Sequence, residues 1–116
     1  YIGSAFIATK EARAHDAYKQ AIVDGSSDDI VYSNLFTGVH GNYLAASIRA
    51  AGLDPENLPE SDPSKMNFGG DAKKAWKDIW GCGQGIGSIT EVVPAAELVA
   101  RLAREYQTAR ARLALA

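Results

Sequence analysis

A single cysteine, Cys82, among 116 residues excludes an internal disulfide, and with it the small secreted scaffolds that depend on such bridges. No apolar run approaches the length of a membrane-spanning helix, and the opening residues lack the charged-then-apolar pattern of a signal peptide. A cytoplasmic location is therefore expected, with no membrane partner. Basic charge is scarce as well: twelve Lys and Arg stand against fourteen Asp and Glu, a net charge of −2. The local excess between Arg101 and Arg112 lies in a helical pattern, so nucleic acid is not an expected partner. Histidine occurs twice, as His15 and His40, and neither is near Cys82 in the sequence. Cys82 sits between two glycines and reads as a small buried residue in a tight turn, since a reactive thiolate needs a base or a helix N-terminus beside it. No metal site is expected.

What remains is ordinary globular material: 47% apolar and 22% charged residues, enough for one domain and one core. The first nine residues, Tyr1 to Thr9, read as a β-strand broken only by Gly3-Ser4. A strand must pair, because an unpaired row of backbone donors and acceptors is a liability. No partner strand follows closely. The expectation is the tail of a larger α/β protein whose earlier strands, and whose reacting residues, are absent from this sequence.

Three blocks are expected: residues 1–24, a strand and the helix after it; residues 25–92, a helical extension with a long loop and a glycine-rich return; and residues 93–116, a terminal amphipathic helix. In the first block Thr9 can cap a helix running from Lys10 to about Val23, with Glu11 in its first turn. Asp24-Gly25-Ser26-Ser27 would end it, and the segment from Asp29 to Phe36 favours a short strand. Asn42 can cap a helix from Tyr43 to Ala51, closed by Gly52. Three of the four prolines then fall in a long loop, and Asp71 starts a helix whose apolar stripe carries Trp76 and Trp80.

From Gly81 to Gly87 every second residue is glycine, which in an extended segment clears one whole face for another backbone or a ligand. A dinucleotide fingerprint must follow a strand and open a helix; here a helix precedes, so that reading fails. Pro94 suits the first turn of the last helix, where Leu98, Leu102, Tyr106, Ala109 and Leu113 form a stripe and Arg101 and Glu105 stand at i, i+4.

Several of these segments together resemble one family. Residues 2–9, with Lys10-Glu11-Ala12 and the run from Ala14 to Ile22, are similar to the last barrel strand and following helix of the nitronate monooxygenases, formerly called 2-nitropropane dioxygenases. Phe36-Thr37-Gly38 resembles the next landmark, and Trp80 to Gly87 with Val93 to Val99 resembles the C-terminal one. The resemblance implies the last strand of an FMN-binding (β/α)8 TIM barrel plus a mostly helical C-terminal extension. It implies a monooxygenase, an oxidoreductase flavoprotein that oxidises alkyl nitronates with molecular oxygen. Carried over by motif, Tyr1, Ile2, Gly3 and Ser4 would bind the FMN phosphate, and Gly83, Gln84 and Gly85 would return to the flavin side. The family commonly has threonine where Ser4 stands, a change that keeps the hydroxyl. Many members carry a basic segment after Phe-Thr-Gly, where this chain has Val39-His40-Gly41-Asn42. The family's active-site histidine falls outside the sequence, and neither His15 nor His40 sits in a matching motif. The chain alone is then expected to hold no catalytic residue and to need the rest of the barrel as its partner.

Two rivals stand beside this reading. An FMN-dependent enoyl-acyl-carrier-protein reductase shares the barrel, and fold alone does not separate the two chemistries. A non-enzymatic helical interaction module would fold alone without flavin.

Overall fold

The computed structural model describes residues 2–60 and 77–114. It is a mixed structure of helices and a small antiparallel sheet. Helix α1 spans Gly3–Ile7 and α2 Asp16–Asp24; a 3-10 turn at Ser27–Asp29 leads into β1, Ile30–Ser33. Strand β2, Gly41–Leu44, runs into α3, Ala45–Ala50; a second 3-10 segment, Gln84–Ser88, precedes the long α4, Ala95–Leu113.

The strand expected over the first nine residues is not what forms. Residues 3–7 close a short helix instead, with the Ala5 amide donating to Ile2 O at 3.1 Å and Ala8 to Ser4 O at 3.3 Å. A strand satisfies its backbone only through neighbours, whereas a helical turn satisfies it locally. Among the described residues no strand lies beside this segment, so the local solution wins. A trace of parallel pairing survives just after it: Thr9 bridges Val93, Val93 N–H donates to Ala8 O at 3.3 Å, and Lys10 N–H donates to Val93 O at 3.0 Å.

Helix α2 starts six residues later than expected, at Asp16 with His15 as its N-cap. Thr9 is spent on a different bond, its hydroxyl donating to Phe6 O at 2.7 Å. The end at Asp24 is as expected, and Gly25 follows because nothing larger fits: a Cβ there would lie 2.9 Å from both Ala21 O and Ile86 Cδ1. Strand β1 lies within the expected segment. Strand β2 does not appear in the local reading, which has Asn42 capping a helix; it forms because residues 41–44 pair with β1, Ile30 opposite Leu44 and Ser33 opposite Gly41. Helix α3 then ends as the glycine signal indicates. Gly52, at φ +86°, donates to Arg49 O at 2.9 Å, and Leu53 donates to Ile48 O at 3.1 Å, the paired bonds of a Schellman C-cap.

Residues 80–82 add a third rung beside β2. Leu44 N–H donates to Trp80 O at 2.8 Å and Cys82 N–H to Asn42 O at 3.1 Å. The glycine-rich stretch is therefore extended only at its start; residues 84–88 curl into a 3-10 helix that buries Ile86. The helix expected from Asp71, including Trp76, lies outside the described residues except for its end at Lys77 and Asp78. The core gathers Ala8, Ile22, Leu44, Cys82, Ile86 and Ile89, with Tyr18, Ile30 and Trp80 packed on it. Segments far apart in sequence meet there, which brings the residues after Gly81 back against α1.

Candidate functional site

Where α1 meets the glycine-rich segment a cleft of about 350 Å³ opens, lined by Ile2, Gly3, Ser4 and Ala5 on one side and Gly83, Gln84, Gly85, Ser88 and Ile89 on the other. That volume lies within the ~300–1,000 Å³ range of small-molecule sites. Six of the seven residues singled out in the sequence line it; the seventh, Tyr1, lies outside the described residues. Ser88 was missed, and its hydroxyl donates to Gly85 O at 2.9 Å, holding the turn that forms the cleft wall.

The two walls are tied by one short bond. Gly83 N–H donates to Ser4 Oγ at 2.7 Å across 79 positions of sequence. The Ser4 oxygen also lies 3.6 Å from Cys82 Sγ. Because Ser4 Oγ accepts from Gly83, its own proton remains for donation. No charged side chain lines the cleft among the described residues. An anion here would be met by amides and hydroxyls, the neutral donor set that suits close contact with phosphate oxygens.

Glycine matters at this site for room. A Cβ placed on Gly3 or Gly85 would meet no atom within 4 Å, so internal packing does not require glycine at either position. At Gly83 an added Cβ would come within 3.3 Å of Ser4 Oγ and press on the bond that joins the walls.

Behind the cleft, burial pushes the Cys82 thiol up, an effect only partly offset by its contacts with Ser4 and the Gly83 carbonyl. The thiol is neutral at ordinary pH, which favours the packing reading over a nucleophile. Tyr18 stacks on Trp80 with centroids 5.0 Å apart and planes 5° from parallel, and its hydroxyl donates to Gly81 O. Burial, with Cys82 beside it, raises the phenol, so Tyr18 remains a donor that pins the start of the glycine-rich segment.

The histidines lie elsewhere. His15 is the exposed N-cap of α2, and His40 is an exposed residue of the β1–β2 loop stacked on Tyr32 at 4.7 Å. Glu11, expected to sit in the first turn of α2, instead reaches the other end of the chain: its Oε2 accepts the Ala95 amide at 2.8 Å. Pro94 precedes that amide and has no side-chain acceptor to offer, so Glu11 caps α4 from a distance. The bond holds the Glu11 carboxyl below its ordinary range. Among the described residues there is no cluster of three or more metal-ligating side chains, and no helix is long and apolar enough to cross a membrane.

Comparison with curated proteins and with solved structures found no match. A protein-family model described as nitronate monooxygenase matches residues 1–105, nearly the whole chain. With its first residues and its glycine-rich return meeting at one cleft, the chain belongs to the nitronate monooxygenase family.

Proposed function

We propose that the chain is the C-terminal part of an FMN-dependent monooxygenase that oxidises alkyl nitronates with molecular oxygen. The observation that carries the reading is the convergence of residues 2–5 and 83–85 on one cleft, joined by the Ser4–Gly83 bond, in a chain of this family. The cleft fits the phosphate end of FMN. The residues that would hold it are Ser4, whose hydroxyl would donate a hydrogen bond to a phosphate oxygen, Gly3 and Gly85, which leave space for close approach, and Gln84, whose amide would offer further donors. Ile2 completes the wall on the α1 side.

When bound, FMN would supply the redox chemistry that carries electrons from a nitronate to oxygen. This chain's residues bind and orient. The neutral Cys82 thiol adds no competing nucleophile behind the site. In this account the reacting histidine comes from the remainder of a (β/α)8 barrel. The chain alone is inactive in this account, and its lone thiol suits a reducing compartment such as the cytoplasm.

The test is oxygen uptake by the chain together with the remainder of its barrel, with an alkyl nitronate as substrate, set against NADH oxidation with an enoyl thioester. Nitronate-dependent uptake supports the proposal. Enoyl reduction without it assigns the protein to the reductase chemistry that shares the barrel.

A further inference from the structure

Every residue from 103 to 114 is exposed, so the last three turns of α4 stand clear of the described body. Their sequence is patterned nonetheless. Val99, Leu102, Tyr106, Ala109 and Leu113 recur at alternating intervals of three and four, the a and d positions of a heptad. Val99, Tyr106 and Leu113, the a positions, are 54%, 65% and 80% exposed. Leu98, on the neighbouring face, is buried against the body and marks where the packed side ends.

The width of the stripe decides what it fits. A helix laid on a globular core shows three or four apolar positions per two turns, while a seam between two helices shows only a and d. Between Arg104 and Leu113 the residues off the seam are Glu, Gln, Thr and Arg, with Ala111 the one exception. We propose that this half of α4 is a self-association surface that pairs in parallel with the same helix of a second copy.

The flanking charges select both partner and direction. Glu105 falls at g and Arg110 at the following e position. In a parallel pair in register, g of one helix faces the next e of the other, so Glu105 meets Arg110 of the second copy, twice by symmetry. Glu105 is free to do so because its ion pair with Arg101 within the helix is long, at 3.6 Å, and exposed. Two heptads make a short seam, and the association is expected to depend visibly on protein concentration.

Sedimentation velocity on the protein over a wide concentration range tests this, with circular dichroism as the check on folding. The expected result is a rise from one chain mass to two. Tyr106→Glu and Leu113→Glu, at exposed positions, should leave the dichroism unchanged and abolish the rise. Glu105→Arg or Arg110→Glu alone should weaken the dimer roughly tenfold, and the double swap should restore it. A double swap that fails to restore overturns the parallel register, since an antiparallel pair sets Glu105 against other residues. A mass of one chain at every concentration, with Leu113→Glu lowering thermal stability, overturns the proposal and assigns the face to the remainder of the polypeptide.

Discussion

Replacing Ser4 by alanine removes the only side-chain acceptor that, among the described residues, ties the two walls of the cleft. In the native chain Gly83 N–H reaches Ser4 Oγ at 2.7 Å, a short bond of good strength. Gly83 is exposed and Ser4 half-buried, so water can replace part of what is lost. The cost is then that of an ordinary net hydrogen bond, about 1 kcal/mol, rather than that of an orphaned buried donor. For a chain of 116 residues 1 kcal/mol lowers the melting temperature by about 4 °C. Thermal unfolding of the native protein, Ser4→Ala and Ser4→Thr measures it. Threonine keeps the oxygen and should lie within about 2 °C of native. Equal losses for alanine and threonine would refute the reasoning, because the effect would then follow side-chain shape rather than the acceptor. No loss for alanine would show that the Ser4–Gly83 bond contributes nothing.

Three further perturbations probe the frame around the cleft. Gly25→Ala drives a methyl to 2.9 Å from Ala21 O and Ile86 Cδ1, and should cost about 1–3 kcal/mol in urea unfolding; a neutral result would show that the contact yields freely. Glu11→Gln should lower stability near neutral pH. Its folded carboxyl is held below the ordinary 4.5, first by the Ala95 amide, so the native advantage is full above that value and is lost as pH falls through the lowered one. Melting curves from pH 7 down to pH 3 should show native and variant converging; a gap that widens in acid contradicts the assignment. Cys82, 7% exposed and with its thiol pushed up by burial, should react with iodoacetamide at pH 7.5 at least roughly tenfold more slowly than a free cysteine; rapid alkylation would contradict the packed position.

The parts of the fold that were legible in the sequence carry their cause locally. Gly52 closes α3 because its own φ requires glycine, and Pro94 starts α4 because it needs no amide partner. The parts that were not legible depend on distant partners. Nothing in Gly41-Asn42-Tyr43-Leu44 announces a strand until Ile30–Ser33 lies beside it. The first nine residues have a strand's composition, yet without neighbours residues 3–7 satisfy their backbone better as α1. Glu11 has the form of a first-turn acid, and the amide it caps is 84 positions away. The cleft residues were found by resemblance of motif, while the bond that joins them, Ser4 to Gly83, has no signature in either segment. Ser88 gave no signal at all, since a serine after a glycine run looks like any turn residue.

The measurement that tests the central claim most directly is the affinity of the purified protein for FMN against riboflavin, read from flavin fluorescence. If Ser4 and the neighbouring amides hold the phosphate end, charge-assisted hydrogen bonds of about 1.5–3 kcal/mol make FMN bind roughly ten- to a hundredfold more tightly, and Ser4→Ala erodes that margin. Equal affinity for the two flavins, or a margin that Ser4→Ala leaves intact, would contradict the account.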